Sequence, residues 1–173
     1  MIRLRRISSS SISAKPLLAY QIVSDYAAYS DWLPGLKSSK LLARESNFAL
    51  VELEFRANPG KILTVECIHA PTSMVVLRSL SGHLPRLKIE WTITPGEFGD
   101  ARVTLKMEAP RSLPFLAGYK GFFHPANVLK GLSGVVAASG EGPAGEKIVE
   151  INETEEGLEC WFKGTRYRMV AGS

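Results

Sequence analysis

Between Lys37 and Glu108 apolar and polar residues alternate with period two. "ALVELEF" sets Val51, Leu53 and Phe55 on one parity against Glu52 and Glu54 on the other. "ILTVECIH" sets Leu63, Val65 and Cys67 against Thr64 and Glu66. "RLKIEWTI" opposes Leu87, Ile89, Trp91 and Ile93 to Lys88, Glu90 and Thr92, and "ARVTLKME" opposes Val103, Leu105 and Met107 to Arg102, Thr104 and Lys106. Successive side chains of a strand point to opposite faces, so each stretch predicts a strand with one wet and one dry face. "SMVVLRSLSG" is more continuously apolar. The connections "HAPT", "SGHLP" and "TPGEFGD" carry Pro or Gly, and "NPGK" (58–61) puts Pro59 and Gly60 in the central places of a type II turn. The whole region predicts an antiparallel meander with one buried face.

The period changes on either side. "MIRLRRISSSSIS" is basic and serine-rich, but it has no helical apolar stripe; Ile2 and Leu4 alternate with charged neighbours, which favours a strand over an organelle transit peptide. "KPLLAYQIVSDYAAY" reads as a helix, with Pro16 in its first turn and Leu18, Ile22 and Tyr26 four apart, Val23 beside them. Ser30 is the expected N-cap of a second short helix that "DWLPG" closes. A sheet with one apolar face needs a cover. Residues 112–140 supply it, with Phe115, Leu116, Tyr119, Phe122 and Phe123 followed by Val128, Leu129, Leu132, Val135 and Val136, and Pro125 is expected to split the segment into two helical pieces. Gly118, Gly121, Gly131 and Gly134 recur along it. Each costs up to about 1 kcal/mol relative to Ala inside a helix, so they suit a segment that lies close to a neighbour or moves, unless packing simply overrides propensity. "EGPAGE" (141–146) reads as a linker, and "KIVEINETEEGLECWFKGTRYRMV" as three short strands joined at "TEEG" and "KG".

This order of elements resembles the START-like helix-grip (SRPBCC) superfamily, and within it the polyketide cyclase/dehydrase and coenzyme Q-binding group. The resemblance is carried by "ISAKPLLAYQIVSDYAAYSDWLPGLKSS" (12–39), "LVELEF", "SGHLPRLKIEWTITP" (81–95) and "ARVTL" (101–105), and it covers roughly residues 2–138. It implies an α+β helix-grip fold: a curved antiparallel β-sheet wrapped around a C-terminal helical segment, with an apolar tunnel between them for lipids, quinones, polyketides or hormones. The "DWLPG" corner would lie near one end of that tunnel. A Gly-rich, Pro-interrupted late helix departs from the single long rod of the family. The expected division is a domain over residues 1–140 and a C-terminal β-meander extension over 141–173.

Composition narrows the chemistry. The 173 residues suit one domain with a small appendage. No apolar run approaches the ~18 residues of a membrane span. Residues 1–140 hold 17 Lys/Arg against 10 Asp/Glu, a net +7, while 141–173 hold 4 against 7, a net −3. The cations are dispersed, so no nucleic-acid footprint is evident and no DNA partner is expected; weak contact with a membrane surface or a ribosome is all the charge allows. Cys67 and Cys160 read as two small buried hydrophobes in a reducing, cytoplasmic setting. His69, His83 and His124 have no metal-ligand spacing, and "SGHLP" is expected to expose His83 in a turn. Nothing forces Asp25 and Asp31 together as an acid–base pair, the serine run lacks a nucleophile elbow, and "GEGPAG" lacks the Lys-Ser/Thr ending of a phosphate loop. No catalytic residue, metal or cofactor is expected.

What remains is shape. The residues expected to line a cavity are Trp32, Val51, Leu53, Phe55, Val65, Cys67, Trp91, Met107, Phe115, Tyr119, Phe122 and Phe123. Arg78 is the polar group to watch: it shares parity with Met74, Val76 and Leu80, and is either a buried cation in the cavity or an outward-facing one. The function expected is non-catalytic binding or transport of a hydrophobic small molecule, whether lipid, quinone or polyketide-like. The alternatives are an enzyme of the polyketide aromatase/cyclase type and, since some relatives in the coenzyme Q-binding group look like ribosome partners, a protein that contacts ribosomes or other macromolecules.

Overall fold

The computed structural model describes residues 3–110, 119, 121–139 and the strand positions 152–154, 157–162 and 165–169. Seven strands form one antiparallel sheet: β1 (Arg3–Ile12), β2 (Leu36–Arg44), β3 (Phe48–Phe55), β4 (Ile62–Ala70), β5 (Met74–Ser81), β6 (Lys88–Pro95) and β7 (Ala101–Pro110). They lie in the order β1-β7-β6-β5-β4-β3-β2, so the chain runs as a meander from β2 to β7, and β1 closes onto β7. Strand β3 alternates between half-buried and buried residues at every position, and β4 and β6 nearly so, which is the pattern that one covered face imposes. The register slips between Leu36 and Ser38, between Leu41 and Ala43, and between Thr64 and Val65. Such irregularities bend a strand, and the sheet curves around a helix, α3 (Pro125–Ser139). A separate three-stranded antiparallel meander, β8 (Asn152–Thr154), β9 (Gly157–Phe162) and β10 (Thr165–Met169), matches the strands expected near the C-terminus.

Pro125 begins the second of the two helical pieces expected, and the first falls largely outside the described residues. The carbonyl of His124 accepts from the amides of Asn127 (2.9 Å) and Val128 (3.2 Å), and Pro, with no N–H to satisfy, occupies the first helical position at no cost. Val128, Leu129, Leu132 and Val136 then form the buried stripe of α3. It packs against β1, β7 and the first helix. Two of the recurrent glycines mark close approaches. A Cβ on Gly131 would stand 2.8 Å from the carbonyl oxygen of Trp32, and one on Gly121 would stand 3.2 Å from the Pro34 ring. Gly134 has nothing within 4 Å, and Gly118 lies outside the described residues.

The helix expected over 15–29 stops early. It is α1 (Pro16–Val23), followed by a 3-10 turn (Tyr26–Ala28) and a short α2 (Tyr29–Trp32). Side chains take the carbonyls freed at the break: the Tyr29 hydroxyl donates to Val23 O (2.5 Å) and the Arg44 guanidinium donates to Ser24 O (3.0 Å). Orphan carbonyls at a helix end need such partners. The break brings both Tyr26 and Tyr29 fully inside, and Ala19, Tyr20 and Val23 rather than Leu18 and Ile22 are the buried face of α1. Ser30 is not an N-cap; it sits within α2, and its amide donates to the Ser39 hydroxyl (3.1 Å), which donates in turn to Ala27 O (2.8 Å). This pair ties the corner to β2. Gly35 closes it at φ +81°, a left-handed conformation that favours glycine.

Candidate functional site

The middle of the concave face is apolar, while the edge strands β1 and β2 add Arg6, Ser8, Ser10 and Ser39 to its margins. Cross-strand partners Leu53 and Leu63, Val51 and Val65, Cys67 and Leu77, Val75 and Trp91, and Ile89 and Met107 all point inward and are buried. The described residues do not enclose the open tunnel that was expected. Side chains from the sheet, from the Tyr26–Trp32 corner and from Tyr119, Phe122 and Phe123 meet across the space. What is left is a void of about 10 Å³, walled by Tyr29, Leu53, Trp91, Met107, Phe122 and Val128 among others. That is room for about one water, and a wall so apolar gives a water no partners. A layer of this thickness, about 10 Å between packed faces, is filled when indole and phenyl groups reach in from both sides.

Aromatic rings form two clusters flanking the void. On one side Tyr26, Tyr29, Trp32 and Trp91 make a chain of edge contacts with centroid separations of 5.6, 5.6 and 5.9 Å. On the other, Phe55 meets Phe122 at 4.9 Å and Tyr119 at 5.0 Å, and Phe122 meets Phe123 at 5.3 Å. His83 joins this second cluster, stacked on Tyr119 at 6.0 Å and edge-on to Phe55 at 6.1 Å. Its ring is therefore not exposed as the turn sequence suggested. Gly82, at φ +115°, lies against the Ile62–Leu63 backbone, and the chain then turns the ring inward. Both ring nitrogens of His83 are buried without a hydrogen-bond partner, and so is Trp32 Nε1; the remaining such atom among the described side chains is Asp100 Oδ1, at the other end of the sheet. The Tyr119 hydroxyl accepts a hydrogen bond from the Asn58 amide, and its own proton remains to be donated.

Of the expected lining residues, the structure brings Leu53, Trp91, Met107 and Phe122 to the void, and places Trp32, Phe55, Tyr119 and Phe123 directly behind them. Val51, Val65 and Cys67 are inward-facing core. Phe115 lies outside the described residues. Arg78 is a correction: it faces out, half-exposed, and its guanidinium pairs with Glu66 at 2.8 Å on the opposite surface of the sheet. Leu33, expected with Trp32 to close one mouth of the cavity, lines the void, and so do Tyr29, Leu77, Ile89 and Val128. Leu77 and Ile89 could have been found by extending the parity of Trp91 across the strands, whereas no local signal marks His83 or Asn58.

Deeper, His69 is a buried histidine with both nitrogens satisfied. Ser46 O lies 3.0 Å from Nε2 and can only accept, so Nε2 carries the proton; Nδ1 accepts from the Tyr26 hydroxyl at 3.1 Å. Arg44 lies 5.5 Å over the Tyr26 ring. Burial raises the Tyr26 and Tyr29 hydroxyls above the usual tyrosine range and pushes the Cys67 thiol up to about 12, so none of them ionises near neutrality. Burial also lowers His69 below 6.5, and it lowers His83 with help from nearby Lys61. A folded-state pKa below the unfolded value means that the unfolded chain takes up protons first. The stability these histidines contribute is thus complete above pH 6.5 and lost as pH falls below it. Urea midpoints should drop between about pH 7 and pH 5, and the drop should shrink in His69→Gln. A midpoint unchanged over that range would contradict the assignment of neutral, buried rings.

Among the described residues no three His, Cys, Asp or Glu side chains are grouped to hold a metal, and no helix is long and apolar enough to cross a membrane. The curved seven-stranded sheet clasping a late helix is the helix-grip architecture of START-like proteins. The sequence profile of the polyketide cyclase / dehydrase and lipid transport family matches residues 12–128, and the chain belongs to that family. No curated protein sequence matches the chain. Among solved structures it is similar to the ZhuI aromatase/cyclase of Streptomyces sp. R1128 (TM-score 0.68, 13% identity, 83% of this chain and 99% of that one). It is also similar to a START superfamily protein of Mycobacterium smegmatis (0.64, 19%, 78% and 98%) and to a STAR-related lipid transfer protein fragment of Xanthomonas axonopodis (0.63, 20%, 76% and 84%). At these identities the likeness is one of fold.

Proposed function

We propose that the chain binds a hydrophobic small molecule, a lipid, quinone or polyketide-like compound, between the sheet and α3, and that this closed interior opens to admit it. Neighbours of this fold include both aromatase/cyclases and a lipid transfer protein, and the character of the interior supports holding over converting. Among the described residues the walls of the void offer no carboxylate, imidazole, amine or guanidinium to move a proton, and the Tyr29 hydroxyl is committed to Val23 O. That favours a carrier. The observation that carries the reading is the trio of unpartnered nitrogens, Trp32 Nε1 and both of His83, one group in each of the two aromatic clusters behind the walls of the void. A buried polar group left unpaired costs about 1–3 kcal/mol, so the closed form is penalised in a way that a ligand with an apolar body and a few oxygens would relieve. Such a molecule has to displace Phe122 and its neighbours Tyr119 and Phe123 in the second aromatic cluster. The setting proposed is cytoplasmic.

Organic extraction of the purified chain followed by mass spectrometry tests this, together with titration by a fatty acid, a naphthoquinone and a polyphenol. A co-purifying or saturably bound hydrophobic compound is expected. His83→Phe should keep the fold and weaken binding of hydroxylated or keto ligands by about tenfold, the value of one lost hydrogen bond, relative to their deoxygenated counterparts. An empty extract with no saturable binding across the panel removes the proposal.

A further inference from the structure

The antiparallel meander sorts its turns to two ends of the sheet, and the ends carry opposite charge. One end gathers the start of β1, the corner at 33–37, the β3–β4 turn at 56–61 and the β5–β6 connection at 82–88. These stretches contain Arg3, Arg5, Arg6, Lys37, Arg56, Lys61, Arg86 and Lys88, and not one carboxylate. The other end gathers the turns at 45–47, 71–73 and 96–100 with the two ends of α1; there Asp25, Glu45, Glu97 and Asp100 outnumber Lys15 and Arg44, and the Arg44 guanidinium is engaged with Ser24 O. Some of the cations are engaged: Lys37 with Glu54 and Lys88 with Glu90, both at 3.0 Å. Arg56 and Lys61 are exposed and make no ion pair among the described residues. Beside them, on the outer face of adjacent strands, Ile62 and Leu80 stand 43% and 55% exposed. Gly82, lying against the Ile62 carbonyl, holds the end of β5 close to the start of β4.

We propose that this end, centred on Arg56, Lys61, Ile62 and Leu80, docks on an anionic lipid bilayer. Cations near an anionic leaflet gain from its surface potential, and aliphatic side chains among them can enter the headgroup boundary. RNA fits less well, because single-stranded bases are held by stacking on aromatic rings, and the large exposed hydrophobics at this end are aliphatic. The exposed aromatic Phe98 lies at the acidic end, between Glu97 and Asp100, where an anionic surface repels it. The basic end is also the end at which His83, Tyr119 and Phe123 close the interior, so docking would set that closure against the bilayer.

Co-sedimentation of the full chain, without added small molecule, with phosphatidylcholine vesicles and with vesicles containing roughly one-third phosphatidylglycerol tests the proposal. Binding is expected to the anionic vesicles alone and should fall as salt shortens the screening length. Arg56→Gln with Lys61→Gln should weaken it roughly thirtyfold, about fivefold per cation. Ile62→Gln with Leu80→Gln should weaken it too, while Phe98→Ser should leave it unchanged. All these sites are on the surface, and unchanged thermal unfolding verifies the fold of each variant. Equal binding to neutral vesicles overturns the proposal. So does indifference to the Arg56 and Lys61 changes, or salt-steep binding to polyuridylate with none to vesicles. The assay needs no small molecule, so a failed ligand extraction leaves its result intact.

Discussion

Phe122→Ala should cost the chain about 3–5 kcal/mol of folding stability, the usual range for deleting a buried phenyl group. Phe122 is 1% exposed, packs edge-on to Phe55 and Phe123, and forms part of the wall of the small void between sheet and helix. Its neighbours are held by strands and by α3, so they can collapse only partly into the space it leaves. A urea titration with a lower midpoint and an unchanged slope would show a loss of packing rather than a change in how much surface unfolding exposes. The same substitution should also make room for a ligand in advance. In the wild-type protein, the proposed ligand must displace this ring; in the variant that step is already made. Hydrophobic molecules from the titration panel should therefore bind Phe122→Ala more tightly and recover part of its lost stability by mass action. A destabilised variant with no gain in affinity would mean that the interior is plain core, and a loss under about 1 kcal/mol would mean that Phe122 is not packed as described.

How much of this could be read from the chain depends on which forces are local. Strands β3, β4, β6 and β7 were legible because Glu52, Glu66, Glu90 and Lys106 alternate with apolar neighbours, and a one-residue slip would bury charge. The inward placement of Leu53, Trp91 and Met107 follows from the same rule. In β5 the rule fails: Met74, Val76 and Leu80 are as apolar as Val75 and Leu77, so the side of Arg78 was settled by pairing with Glu66 across from it, a contact between strands. The break after Val23 was hidden because the groups that stabilise it, Arg44 and the Tyr29 hydroxyl, act from elsewhere in the fold. The inward turn of His83 depends on the backbone approach at Gly82. Whether the interior is hollow is the least local question of all, since it turns on how far the sheet curves and how far rings from three separate segments reach. The expected apolar residues supply four of the nine that wall the void, and the alternation carries no information on whether they touch.

The glycines of α3 give the sharpest separation between a residue that is needed and one that is tolerated. Gly131→Val should destabilise the fold by about 2–3 kcal/mol, the scale of overpacking in a close-packed interface. The Cβ would stand 2.8 Å from Trp32 O, and that oxygen cannot step aside as a flexible side chain could. It belongs to the corner that Ser39 fastens to β2 and that Gly35 turns, and the Trp32 ring is itself seated on Trp91. Either α3 lifts from the corner or the corner shifts with its indole, and both loosen the wall of the void. Gly134, three residues on, meets nothing within 4 Å and is exposed. Gly134→Ala should therefore stabilise by up to about 1 kcal/mol through helix propensity alone. Thermal or urea unfolding of the pair reads both signs in one experiment. If the two substitutions had the same effect, the glycine pattern would reflect the backbone of α3 rather than its contact with Trp32, and the clasp between helix and corner would lose its structural basis.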